Sequence, residues 1–117
     1  MLSGTYKERF IVKLGEHIHS LETNKIFYFY SVEKATFALY TDTKKYLLDY
    51  SLDQIMEFVS PGNFFRINRK YIISFSAIED IVQYSNSRLR IHLIHSNDKD
   101  IIVSRERVQD FKKWLDK

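Results

Sequence analysis

The chain has 117 residues, 18 Lys and Arg against 15 Asp and Glu, a net charge of +3 and no cysteine. That is enough chain for one domain with its own hydrophobic core; the missing cysteine excludes disulfides, thiol chemistry and cysteine-ligated zinc and fits a reducing, cytoplasmic setting. No apolar run reaches the roughly 18 residues of a membrane-crossing helix, so no membrane contact is expected, and eight tyrosines with nine phenylalanines are too many for a disordered segment.

Residues 1–8 read as a lead-in or the remnant of a linker, with no apolar export segment behind Met1, and residues 9–117 as the folded domain. Residues 10–14 predict a strand, Gly15-Glu16 a turn, and the alternating residues 17–21 the returning arm of a hairpin. Asn24-Lys25 turns the chain into the aromatic run 26–30, a strand. Of its alternating rings, Phe27 with Phe29 and Tyr28 with Tyr30, one pair is expected in the core and the other partly exposed. A loop over 31–34, a strand over 36–40, a turn at 42–44 and a strand over 45–49 follow.

Ser51 predicts the start of a helix. Its hydroxyl can accept from a free helix amide, Gln54 three residues on can reach back, and Tyr50 and Ile55 have hydrophobic-staple spacing. Leu52, Ile55, Met56 and Val59 form the apolar stripe, and Pro61-Gly62-Asn63 ends the helix. Short strands are predicted over 64–67, 71–73, 78–84 and 88–93, with a turn at 85–87, a polar loop over 97–100 and an edge return over 101–103. Ser104 is expected to cap a last helix that packs through Val108, Phe111, Trp114 and Leu115. The expected class is mostly β, an antiparallel sheet domain with two short helices.

Charge is unevenly spread. Residues 1–60 carry seven Lys/Arg against eight Asp/Glu, and residues 61–117 carry eleven against seven. The run 64–73 sets Arg66, Asn68, Arg69 and Lys70 between aromatic and β-branched anchors, as in a segment pinned at both ends that pushes cations outward. Arg presents a rigid two-donor fork to guanine or phosphate, Lys a mobile charge, and Asn an amide that pairs with adenine. The alternative is a plain solvated turn. Arg105 and Arg107 crowd a helix start that already carries positive dipole, which an anion would relieve and which Glu106 partly offsets; the alternative is a capped surface helix. Arg88 and Arg90 share the face opposite Leu89 and Ile91, either as phosphate contacts or as ordinary polar-face residues.

Other chemistry finds little support. His17 and His19 fall on one side of a strand and His92 and His95 on opposite faces, with no HExxH spacing, so no metal or other cofactor is expected. There is no GxSxG, and three glycines cannot build a phosphate or dinucleotide loop, so an enzyme is not expected.

The run Phe65-Arg66-Ile67-Asn68-Arg69-Lys70-Tyr71-Ile72-Ile73-Ser74, with Ile78 four residues on, resembles the signature of the LytTR DNA-binding domain. The opening strand at Phe10, Asn24-Lys25-Ile26, the helix of Leu52, Ile55 and Met56, and Val103-Ser104-Arg105 extend the resemblance over roughly residues 9–115. Asn68 stands where the family usually has histidine, Lys70 where it has serine, Ser74 where asparagine is common, and Glu106 where many members carry a second basic residue.

The resemblance implies an elongated, mostly β fold that reads double-stranded DNA with loops in successive major grooves, often at direct repeats. It implies the output domain of a bacterial transcriptional regulator, a response regulator with a receiver domain upstream, acting as a homodimer on DNA; the short lead-in would then mark an excised or stand-alone domain. The implied contacts are Lys34 and Thr36 in the first loop, Asn68, Arg69 and Lys70 in the second, and Arg105 and Arg107 at the last helix. With Arg88 these make the expected site. Lys34, Lys70, Arg88 and Arg107 are assigned to phosphate, Asn68 and Arg69 to base edges, and Arg105 to either. Two rival readings keep the fold: a protein-interaction or dimerisation module using the aromatic strand, and a single-stranded nucleic-acid binder using exposed tyrosines.

Overall fold

The computed structural model describes residues 6–85 and 87–117. Residues 1–5 of the expected lead-in and Asn86 of the expected turn lie outside the described residues. Among the described residues, nine strands and two α-helices form a slab of 49 × 38 × 23 Å. The centre is a five-stranded antiparallel sheet in the order β5 (Lys45–Leu48), β4 (Ala35–Tyr40), β3 (Ile26–Val32), β7 (Tyr71–Ser74) and β6 (Phe64–Arg66). The hairpin of β1 (Arg9–Leu14) and β2 (His17–Glu22) joins α1 (Leu52–Phe58) on one face. The hairpin of β8 (Ile78–Tyr84) and β9 (Arg88–Leu93) joins α2 (Val108–Leu115) on the other.

Alternation along the central strands supplies both cores, because successive side chains point to opposite faces. On β7, Ile72 faces the α1 side and Tyr71 and Ile73 the α2 side. On β3, Phe29 and Tyr28 divide in the same way. Tyr28 is 2 % exposed and Phe29 is fully buried, while Phe27 and Tyr30 are half-buried. The expected core pair and partly exposed pair are therefore split differently: Tyr28 and Phe29 are core, and Phe27 and Tyr30 partly exposed. Covering the sheet on both faces buries one member of each pair, and a register shift between Ile26 and Tyr28 breaks the alternation.

Local signals act as chemistry dictates at α1. The Ser51 hydroxyl accepts from Gln54 N at 3.1 Å and the Gln54 side chain accepts from Ser51 N at 2.9 Å. The last helix differs from expectation. Ser104 makes no side-chain cap, and a 3₁₀ turn over Arg105–Arg107 precedes α2. Backbone bonds hold the segment: Ser104 N donates to Ile67 O at 2.8 Å, and Arg107 N donates to Ser104 O at 2.8 Å in the 3₁₀ turn. Residues 101–103 do return along β9, through Ile91 N to Ile101 O and Val103 N to Leu89 O, with one ladder bridge at Arg90 and Ile102.

Ile72 has no exposed surface and sits in one of the central strands that feed both cores. Ile72→Ala is expected to cost about 2–5 kcal/mol of stability, measured as a lower urea midpoint at unchanged slope.

Candidate nucleic-acid interface

The chain between β6 and β7 is a turn held from inside. Ile67 is fully buried and anchors it. Asn68 Oδ1 accepts from Lys70 N at 2.7 Å and Tyr71 N at 2.9 Å, while Nδ2 donates to Ile102 O at 2.8 Å. Arg66 closes the turn from below: Nε donates to Asn68 O at 3.1 Å, Nη2 to Arg69 O at 3.0 Å, and Nη1 pairs with Asp53 in α1. The hydrogen bond and charge of Arg66 hold the Asp53 carboxyl below the usual carboxylate range. Residues 69 and 70 are thereby placed on the surface. Among the described residues Arg69 forms no ion pair within 4.0 Å, although its charge reaches Asp53, and Lys70 faces only Asp98, at 3.9 Å.

This geometry separates the roles of the three adjacent polar residues. Both lone-pair directions of the Asn68 carbonyl are taken by backbone amides, so it cannot also accept from an adenine amine. Asn68 holds the turn, and Arg69 and Lys70 are the groups the turn presents.

The hairpin between β3 and β4 is the second piece. Val32 pairs with Ala35, which leaves a two-residue loop with both φ angles positive, Glu33 at 48° and Lys34 at 72°. Such a loop favours Asn-Gly, and a non-glycine residue in this region carries backbone strain. Lys34 is exposed and shares a cleft of about 200 Å³ with Thr36, Ser51, Asp53, Arg66 and Arg69. Ser31 N donates to Lys70 O at 3.0 Å and locks this hairpin to the 66–71 turn. Thr36 is only 4 % exposed. It lies in the cleft wall, not on the outer surface with Lys34.

The third piece is the 3₁₀ turn of Arg105–Arg107. Ser104 N to Ile67 O and Arg107 Nη1 to Arg66 O (3.3 Å) tie it directly to the same turn. Arg105 is exposed and Arg107 half-buried. Lys34, Arg69, Lys70, Arg105 and Arg107 thus come from three separated stretches that all touch residues 66–70. Arg88 stands apart from the cleft. It and Arg90 lie over the Tyr84 ring, 6.0 and 4.7 Å from its centroid, half-buried, with Nε of each lacking a hydrogen-bond partner. The expected solvated ladder is a stacked pair. The Arg90–Ile102 bridge places Arg88 across from Ser104, beside the third piece.

Sequence reasoning gave no role to Asp53, Ser31 or the Ile102 carbonyl. Each acts across a long sequence separation, and Ser31 and Ile102 act through main-chain atoms. Residue type therefore carried no signal for them.

The sequence model for the LytTr DNA-binding domain matches residues 16–116. The structure is similar to a solved one, described as the LytTr DNA-binding domain of a methyl-accepting/DNA response regulator from Bacillus cereus. The TM-score is 0.76 at 20% sequence identity, covering 93% of this chain and 97% of that one. No curated protein matches the chain.

Asn68→Ala is expected to lower stability by about 1–3 kcal/mol by orphaning turn amides, whereas Arg69→Ala leaves it within about 0.5 kcal/mol; paired denaturation curves check this. Lys34→Gly should raise stability by about 1 kcal/mol by relieving the positive φ while weakening any ligand that uses the ammonium, so thermal and binding titrations of one variant would move in opposite directions.

Proposed function

The chain belongs to the LytTR DNA-binding domain family, and from that premise we propose that it binds double-stranded DNA sequence-specifically, as the output domain of a transcriptional regulator. The observation that carries this reading is the convergence of Lys34, Arg69, Lys70, Arg105 and Arg107 around one internally braced turn. Arg69 is the base reader, since among the described residues its exposed fork has no carboxylate within 4.0 Å and the neighbouring Asp53 is engaged by Arg66. Lys34, Lys70 and Arg107 take phosphates, Arg105 lies where it meets either, and Arg88 extends the phosphate track from its seat on Tyr84. Asn68 acts as the brace, not as a reader. Three loops gathered at one edge of the central sheet suit successive major grooves of one duplex, and direct repeats would be filled by two copies of the domain. A receiver upstream would set when the copies meet. We take the folded unit to begin near residue 7, because Lys7 N donates to Phe58 O at 2.7 Å and Glu8 O accepts from Thr23 N at 2.9 Å, just ahead of Phe10 in the α1-side core.

The single-strand alternative fares worse. Tyr28 is buried with its hydroxyl on Ile94 O, and Tyr30 stacks against Phe37 and Tyr71, so few ring faces are free for bases.

Selection from random duplexes followed by footprinting tests the proposal; a repeated half-site protected on one side of the duplex is the expected result. With about four to five phosphates neutralised, the log–log salt slope should be about −4. Arg69→Ala should cost about 1–3 kcal/mol and blur one base position, while Lys70→Ala weakens all duplexes alike. A wild-type domain that holds no duplex in dilute salt ends the reading.

A further inference from the structure

Beside the proposed DNA face lies a second cleft, of about 330 Å³, that no step above uses. Its floor is a row of rings on the α2 side of the central sheet. Tyr28, Tyr30 and Tyr71 sit with centroids 5.8–6.1 Å apart. Its rim holds two ammonium groups, Lys45 Nζ 6.0 Å from the Tyr30 centroid and Lys70 Nζ 5.8 Å from that of Tyr71. Ser96 and Asn97 line the far wall.

The charges in this cleft are not balanced. Among the described residues Asp98 is the one acid lining it, and its oxygens already accept from the Tyr71 hydroxyl at 2.9 Å and Asp100 N at 3.0 Å. It reaches Lys70 only at 3.9 Å. Among the described residues Lys45 has no carboxylate within 4.0 Å and is held only over a ring face. Burial raises the pKa values of Tyr28, Tyr30 and Tyr71, so the phenols stay neutral near pH 7 and add no negative charge. Tyr30, half-buried, has no hydrogen-bonded hydroxyl partner among the described residues, and an oxyanion can accept from it. The volume falls at the small end of the range for ligand pockets.

We propose that this cleft is an oxyanion seat in which Lys45 and Lys70 hold a phosphate group against the phenol rims. The inference rests on the DNA-binding reading in one respect only: Lys70 belongs to both surfaces. The phosphate has two sources with the same chemistry, a backbone phosphate of the bound duplex or a free aryl phosphate monoester. In the first case the seat lengthens the DNA footprint past Lys70. In the second it couples a small ligand to DNA release, since one ammonium cannot serve two anions in full, and by linkage DNA would weaken the ligand equally.

The test uses the whole chain and Lys45→Gln, an exposed-site change whose fold is verified by circular dichroism. Phenyl phosphate is titrated at constant ionic strength with amide shifts of residues 30, 45, 71 and 97 as readout, and a duplex from the selection is titrated in parallel. Saturable shifts at those residues, weakened about tenfold in Lys45→Gln as loss of a charged hydrogen bond predicts, support a free ligand when the variant binds duplex normally. A salt slope shallower by about 0.9 in Lys45→Gln, with lower duplex affinity, supports a DNA phosphate. The proposal is overturned if Lys45→Gln changes neither titration. Should wild type hold no duplex while phenyl phosphate still titrates these residues, the DNA reading falls and the seat stands.

Discussion

The Asn68 amide is the contact on which the rest of the interface depends. One planar group bridges its own turn and the strand return at Ile102, 34 residues away. Buried or half-buried amides of this kind are costly to leave unmet, and meeting them fixes backbone geometry. Arg66 completes the brace by binding two carbonyls of the same turn and a carboxylate of α1. Two polar side chains that seem suited to a ligand are in fact consumed by the protein. Their consumption is what leaves Arg69 and Lys70 exposed on a rigid base.

Rigidity matters because the cations repel one another. Gathering Lys34, Arg69, Lys70, Arg105 and Arg107 near one turn costs electrostatic energy in the free domain, softened by solvent and salt. The central sheet offsets that cost by burying apolar side chains on both faces. The strained Glu33-Lys34 loop is a second local cost in the same place. Strain and like charge collected at one edge are what a binding surface shows when stability is drawn from a core elsewhere.

Tight packing also accounts for how the aromatic strand divides. Alternating Phe and Tyr suggested one core pair and one partly exposed pair, as in an antiparallel sheet covered on one face. Here hairpins cover both faces. Tyrosine tolerates this by placing its hydroxyl on a carbonyl or carboxylate, as Tyr28 does with Ile94 O and Tyr71 with Asp98. The partly open rings that remain, with Lys45 beside them, form the second cleft.

Local chemistry was enough to read the strand runs, the capping box at Ser51 and the cationic run at 66–70 from the amino acids alone, since each depends on neighbours within a few residues. Family resemblance added the Lys34 loop, which composition did not reveal. The division of labour within Arg66, Asn68, Arg69 and Lys70 was not legible, because identical side-chain chemistry serves a brace or a ligand depending on what stands across from it. The Ile102 carbonyl, Asp53 and the Ile67 carbonyl that accepts from Ser104 N arrive only when distant segments pack. Tertiary structure alone therefore decided which polar groups were satisfied internally and which were left for a partner.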